Sequence, residues 1–112
     1  MTTEPRIIDA SDSGLAIRSM SDISDAIGAC YGADALILTE SSLGEEFFDL
    51  RSGLAGELLQ KLVNYRVRTA IVLPDPKAHG DRFAELAHEH ATHGMIRFVR
   101  TVEDARAWLS SQ

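Results

Sequence analysis

The sequence predicts a single α/β domain over residues 1–112, with a mixed, mostly parallel sheet of about five strands. Three observations lead to this fold class. Short apolar runs without alternation are typical of strands that are covered on both faces. Amphipathic segments with helical periodicity lie between these runs, which favours a parallel sheet with right-handed crossovers. A chain of 112 residues is also long enough to bury one hydrophobic core.

The N-terminal segment predicts a β-hairpin followed by a helix. Ile7 and Ile8 and the apolar residues 15–17 flank the turn residues 12–14, which end in glycine. A helix capped by Ser21 or Asp22 is expected next, and glycine at position 32 is typical of its end. The hairpin adds an antiparallel edge to the predicted sheet.

The rest of the chain predicts strands and helices in alternation. Three continuous apolar runs are expected to be strands, at residues 35–38, 70–73 and 95–99. Three further helices are expected over residues 53–65, over residues 81–93, and from Thr101 onward. Thr101 and Asp104 have the spacing of a capping box. The predicted order is therefore β-β-α-β-α-β-α-β-α.

Composition and charge exclude several classes of function. The net charge is −6, and the 11 lysine and arginine residues are scattered, which argues against nucleic acid and anionic membranes as partners. The apolar runs are far shorter than a membrane span, and the first residues do not form a signal peptide. The only cysteine, Cys30, is expected to be a buried thiol, consistent with a reducing cytoplasm.

The connection over residues 39–52 is much the longest that follows a predicted strand. Functional groups of parallel α/β folds usually gather beyond the carboxyl ends of strands, so a site is expected there. The Ser52 hydroxyl is placed to accept a hydrogen bond from a free amide of the next helical turn, as a cap. The same position suits a phosphorylated serine, because helix N-termini stabilise anions and Arg51 lies next to it.

Two phenylalanines and two glycines in this region leave alternatives open. Either Phe47 or Phe48 is expected to anchor the loop on the core, and the other is buried beneath it or exposed as a binding anchor. Gly53 and Gly56 form a Gly-x-x-Gly pair that would cradle a phosphate, although it lacks the lysine of a P-loop. Close packing is the other explanation, because glycine in a helix costs about 1 kcal/mol relative to alanine.

Neither a metal site nor a catalytic set is predicted. His88, His90 and His93 crowd one helix, but there is no His-Glu-x-x-His motif, and a zinc site needs three or more protein ligands. A solvated polar face explains the cluster, with metal binding as the alternative. No histidine lies near Ser52 in the sequence, and the loop does not match G-x-S-x-G. No cofactor is expected.

The segment FFDLRSGLAGELLQK, over residues 47–61, resembles the bacterial family catalogued as domain of unknown function 4180. The resemblance continues through Asn64, Tyr65 and Arg66 over nearly the whole chain, and the family implies no established activity. The element order and the Ser-Gly-Leu turn also resemble STAS domains of the anti-sigma factor antagonist type. In those domains a partner kinase phosphorylates the serine of this turn and thereby controls docking, and Ser52 would match that serine.

Two hypotheses of function follow. The first is a non-enzymatic regulatory or protein-interaction module, with residues 41–60 as its recognition surface and Ser52 as its phosphorylation switch. The second is a small-molecule or anion-binding protein or enzyme that uses the polar side chains of the loop and the free amides of Gly53 and Leu54. A homodimer formed through the same surface is a third. The candidate residues are Glu40, Phe47, Phe48, Asp49, Arg51, Ser52, Gly53, Gly56 and Gln60.

Overall fold

Four strands in chain order form a fully parallel sheet in the computed structural model, which describes residues 6–91 and 93–111. The strands are β1 (Ile7–Asp9), β2 (Ala35–Thr39), β3 (Arg68–Val72) and β4 (Ile96–Val99). Each strand pairs in parallel with the next one along the chain, so all four carboxyl ends lie at one edge.

The N-terminal hairpin predicted over residues 7–17 is wrong, and so is the antiparallel edge. The polar residues after β1 instead form a short helix, α1 (Ala10–Ser13). Gly14, at φ 74°, ends this helix in the left-handed conformation that glycine adopts without strain. Ile17 makes only an isolated parallel bridge with Leu43. The described residues therefore form four strands, where about five were predicted.

Five further α-helices follow in the described part of the chain. They are α2 (Met20–Ala29), α3 (Glu45–Phe48), α4 (Leu54–Asn64), α5 (Asp81–Glu89) and α6 (Val102–Ser110). The predicted cap of the last helix is confirmed, because the Thr101 hydroxyl accepts a hydrogen bond from the Asp104 amide at 3.0 Å. The predicted cap of α2 is wrong by two or three positions, since the N-cap is Ser19.

The central strands are covered on both faces, as their continuous apolar runs predict. On one face, Leu36, Leu38 and Ile71 belong to a core that also contains side chains of α2, α4 and α5. On the other face, Ile37 and Ala70 pack with α6. Right-handed crossovers between parallel strands in chain order place every connecting helix on one side of the sheet. The C-terminal helix is left to cover the other side.

Basic side chains hold the C-terminal end of α6 on the sheet. Arg68, at the start of β3, donates hydrogen bonds to the carbonyl oxygens of Leu109 (3.2 Å) and Trp108 (3.4 Å). The guanidinium carbons of Arg68 and Arg97 lie 4.6 and 4.8 Å from the centroid of the Trp108 ring. Burial, and then the charge of Arg97, lower the pKa of Arg68 below its ordinary value. Cations at a helix C-terminus also interact favourably with its dipole.

Some large apolar side chains are exposed. Tyr31 is 91% exposed and Val63 is 40% exposed, although both follow the helical periodicity of their neighbours. Cys30, predicted to be buried, is buried. None of the helices in the described part of the chain has the length and apolar character needed to span a bilayer.

Candidate functional site

The predicted site region lies at the carboxyl edge of the sheet, where the connection after β2 meets the connection after β3. The chain leaves β2 through a 3₁₀ turn (Glu40–Ser42), enters α3, and passes a second turn (Leu50–Ser52) into α4. After β3 it forms a third 3₁₀ turn (Pro76–His79), which leads into α5. Parallel pairing of β2 with β3 brings these two connections side by side.

The two phenylalanines fasten the loop to α5. Phe47 is fully buried, and its ring centroid lies 5.7 Å from that of Phe83. Phe48 is half-buried and stacks on the imidazole of His79, with a centroid distance of 3.7 Å and an interplanar angle of 8°. Aromatic pairs of this kind contribute about 0.5–1.5 kcal/mol beyond the area that they bury. Phe47 is therefore the core anchor, and Phe48 lies against a neighbour as a stacking partner.

His79 joins the two connections. Its Nε2 lies 3.0 Å from Oε2 of Glu40, and the Phe48 ring covers one face of its imidazole. The side chains of His79 and Glu40 are 19% and 50% exposed, so the pair borders solvent. His79 was not among the predicted site residues. The sequence gives only a partial signal: Glu40 and His79 both follow strands of a parallel sheet, whose carboxyl ends share an edge, while the pairing of β2 with β3 is seen only in the structure.

A cluster of hydroxyl groups fixes the end of β2, and the sequence does not predict it. The Thr39 hydroxyl lies 3.0–3.1 Å from those of Ser11, Ser41 and Ser42. The Ser42 hydroxyl also accepts a hydrogen bond from the Thr39 amide at 3.2 Å. Ser42 is buried. This network joins α1 to the first turn of the loop and fixes the backbone on both sides of Glu40.

Ser52 ties α3 to the start of α4. Its hydroxyl donates a hydrogen bond to the Glu46 carbonyl oxygen at 2.7 Å and accepts one from the Leu54 amide at 3.1 Å. The predicted hydrogen bond from an amide of the next helical turn is present, but Ser52 is not the N-cap of α4, since Gly53 occupies that position. The bond to Glu46 is not predicted by the sequence. Gly53, at φ 80°, makes the sharp turn between the two bonded segments.

Asp49 and Arg51 form a local, solvated pair. One oxygen of Asp49 accepts a hydrogen bond from the Arg51 amide at 3.1 Å and lies 3.5 Å from its Nε. The Arg51 side chain is 88% exposed, so the ion pair contributes little to stability. The guanidinium therefore remains accessible to other anions.

Gly56 and Gln60 lie on the outer face of α4, together with Val63. All three residues are exposed. A β-carbon built at Gly56 would meet no atom within 4 Å, so close packing within the described chain does not explain this glycine. The spacing of these positions, 56, 60 and 63, places them on one helical stripe.

The loop and the start of α5 enclose a cleft of about 570 Å³. Phe48, Asp49 and Arg51 line it from the loop, and His79 and Arg82 line it from the opposite side. Three basic side chains and two acidic ones, Asp49 and Asp81, therefore line one open space. Glu40 is linked to this cleft through its contact with His79.

The remaining predicted site residues do not line this cleft. Ser52, Gly53, Gly56 and Gln60 lie outside it. The expected anion site on the amides of Gly53 and Leu54 is not formed, because those amides already bond to the Leu50 carbonyl (3.3 Å) and the Ser52 hydroxyl.

The histidine cluster has local structural contacts. His90 Nδ1 lies 2.9 Å from the Leu86 carbonyl oxygen. His93 Nδ1 accepts hydrogen bonds from the amides of Met95 (3.0 Å) and Ile96 (3.1 Å), which places it at the entry to β4. Across residues 6–91 and 93–111, no three histidine, cysteine, aspartate or glutamate side chains are placed to hold a metal ion together.

The comparisons with known proteins identify the family. The family model described as "Domain of unknown function (DUF4180)" matches residues 2–109, so the chain belongs to this family, as the central motif predicts. No match was found among the curated proteins or among the solved structures. The relation to STAS domains stays a prediction.

Proposed function

We propose that this member of the DUF4180 family is a non-enzymatic regulatory module that recognises a protein partner through residues 41–60, with Ser52 as its phosphorylation switch. One observation carries the proposal: a single hydroxyl, that of Ser52, bonds to both α3 and α4. The segment that this hydroxyl holds is the four-residue helix α3, too short to be stable without tertiary contacts.

Phosphorylation of Ser52 would change these contacts in a defined way. A phosphoserine has no hydroxyl proton, so the bond to the Glu46 carbonyl oxygen is lost. The phosphate brings about −1.5 to −2 charges at pH 7 next to that oxygen, which repels it. Arg51, which is exposed and adjacent, provides a cation that can pair with the phosphate. Phosphorylation is therefore expected to release α3 from the start of α4.

The outer face of α4 supports recognition of a protein partner. Val63 is 40% exposed, and Met20, whose methyl group lies near Gly53, is 45% exposed. Gly56 lies on the open surface of the same helix as Val63 and weakens that helix by about 1 kcal/mol relative to alanine. Close approach of a partner's backbone would explain a glycine that nothing within the described chain requires.

Mapping phosphate on the intact protein tests the switch. The protein is incubated with a bacterial lysate and ATP, and the modified residues are identified by mass spectrometry. We expect Ser52 to be modified, and Ser13, an exposed serine whose hydroxyl has no partner among the described residues, to serve as the reference for unspecific labelling. Absence of phosphate from Ser52, together with amide exchange rates in Ser52→Asp equal to those of the wild type, would contradict the proposal.

A second copy of the chain is the other candidate occupant of this recognition surface, and sedimentation separates the two outcomes. A monomer at micromolar concentration supports a different protein as the partner. A dimer that Gly56→Leu disrupts, while Gly28→Leu does not, replaces the proposed partner with a second copy. Gly28 is a matched control because it also lies in a helix, is exposed, and has no atom within 4 Å of a built β-carbon.

A second candidate function is the binding of a small anionic molecule in the cleft that Phe48, Asp49 and Arg51 line. The observation that favours it is the convergence of Arg51, His79 and Arg82 on one space of about 570 Å³. Titration of the ¹⁵N-labelled protein with inorganic phosphate tests it. Saturable shifts at these basic residues support the candidate, and shifts spread evenly over exposed cations contradict it.

A further inference from the structure

A second open space lies on the other side of the Pro76–His79 turn, at the carboxyl ends of β3 and β4. This groove has a volume of about 500 Å³, within the range of small-molecule sites. Leu73 and Ala87, both buried, and Phe98, half-buried, provide apolar surface inside it. It shares no lining residue with the cleft beside the loop.

Small side chains on α5 keep the groove open. Ala84 and Ala87, three residues apart, line it from one side of α5, and Ala91, two residues after the end of this helix, lines it as well. A larger side chain at any of these positions would extend into the space between the helix and the end of β4. The groove therefore results from residue size along a helix that is otherwise packed on the core through Phe83.

The charge of the groove is opposite to that of the chain. Lys77, Arg100 and His88 line it, and among residues 6–91 and 93–111 Asp75 is the only acidic one that does so. Within the described residues, neither Lys77 nor Arg100 has an ion-pair partner. Asp75 already accepts a hydrogen bond from the Lys77 amide at 3.2 Å. The groove therefore combines an apolar floor with two cations that have no ion-pair partner in the described part of the chain.

We propose that this groove binds a small organic acid, with its anionic group between Lys77 and Arg100 and its apolar body over Leu73 and Phe98. A cation pair recognises a carboxylate, sulfonate or phosphate group, and the apolar floor requires a hydrocarbon part. Inorganic anions lack that part, so they are expected to bind much more weakly. The position fits the rule that open α/β sheets bind ligands beyond the carboxyl ends of their strands.

The test uses 8-anilinonaphthalene-1-sulfonate, which combines a sulfonate with an aromatic body. The folded, ¹⁵N-labelled protein is titrated with this probe and with N-phenyl-1-naphthylamine, its uncharged analogue. We expect saturable 1:1 binding, with amide shifts at Lys77, Ala87 and Arg100. The uncharged analogue should bind about tenfold more weakly, because hydrogen bonds to charged groups contribute more than neutral ones.

Variants locate the contacts. The double variant Lys77→Gln/Arg100→Gln should weaken probe binding by about tenfold. The control Arg18→Gln/Lys61→Gln removes the same net charge outside the groove and should leave binding unchanged. Ala84→Leu should also weaken binding by filling the groove while keeping both cations.

Two results would overturn this inference. One is equal affinity of the groove double variant and its control. The other is a set of shifts centred on Arg51, His79 and Arg82, which would assign the probe to the cleft beside the loop. Neither result bears on whether Ser52 is phosphorylated, so the two proposals succeed or fail separately.

Discussion

The Ser52 hydroxyl acts as donor and acceptor at once, and at the residue scale this double role decides what a substitution does. An alanine at this position removes both hydrogen bonds, which leaves the Glu46 carbonyl and the Leu54 amide without this partner. An aspartate removes the donor but keeps an acceptor near the Leu54 amide. The two substitutions therefore test different halves of the contact.

We expect Ser52→Ala to lower the free energy of unfolding by about 1–2 kcal/mol, because both hydrogen bonds of the hydroxyl are lost. Urea unfolding followed by circular dichroism measures this change. The control is Ser13→Ala, because Ser13 is exposed and its hydroxyl has no partner among the described residues. Equal stability of the two variants would show that the hydroxyl contacts do not hold the loop.

Cys30 gives a prediction on pH. Burial raises the pKa of its thiol, because desolvation disfavours the thiolate. Since the folded state favours the protonated form, its contribution to stability is complete below the ordinary cysteine pKa and is lost as pH rises through the raised value. We expect slow reaction with a disulfide reagent at pH 8 in the native protein, and fast reaction in urea. The Cys30→Ala variant should lose less stability at alkaline pH than the wild type.

His79 shows which part of the site one sequence does not predict, namely a contact between residues that are distant along the chain. Glu40 and the phenylalanines lie in one continuous loop, so their proximity can be inferred from the sequence. His79 is 39 residues away from Glu40, and its contact depends on β2 and β3 being neighbours. Pairwise strand order is decided by tertiary packing, which the local pattern of residues does not encode.

At the scale of elements, a prediction compares two exposed helical glycines, Gly56 in α4 and Gly28 in α2. Gly56→Ala should raise the free energy of unfolding by about 0.5–1 kcal/mol, because the new methyl group meets no atom within 4 Å and alanine favours the helix. Gly28→Ala should stabilise by a similar amount for the same reason. Only Gly56→Ala is expected to weaken recognition of a partner. Stabilisation by Gly28→Ala alone would indicate a packing role for Gly56.

The elements that the sequence predicts well are those with a long or repeated signal. The continuous apolar runs predict β2 and β3 correctly, because a strand buried on both faces has few polar positions. The hairpin predicted around Gly14 is wrong, since a glycine after polar residues suits a hairpin turn and a helix end equally well. Too few residues precede it for periodicity to distinguish the two.

At the scale of the whole molecule, the two faces of the sheet are covered unequally. All the connecting helices lie on one side, and α6 provides the core contacts on the other. We expect Trp108→Ala to lower the free energy of unfolding by about 2 kcal/mol, because the ring buries apolar area and contacts the guanidinium groups of Arg68 and Arg97. Thermal or urea unfolding measures this, with Tyr65→Ala as the control at a side chain that is 62% exposed.

The carboxyl edge carries three features within one molecule: the Ser52 bond, the cleft beside the loop, and the groove beyond the Pro76–His79 turn. This turn belongs to both open spaces, since His79 contacts the loop while Lys77 lines the groove. The sheet below stays packed on both faces. A local change at Ser52 is therefore expected to alter the loop without unfolding the domain.

Amide hydrogen exchange on Ser52→Asp tests this central claim most directly, with Ser13→Asp as the control. The amides of Phe47 and Asp49 donate hydrogen bonds within the segment that Ser52 holds, to Gly44 and Glu45 respectively. In Ser52→Asp these amides should exchange about tenfold faster, while the amides of β2 and β3 keep their wild-type rates. Unchanged exchange at Phe47 and Asp49 in Ser52→Asp would contradict the role of Ser52 as a switch.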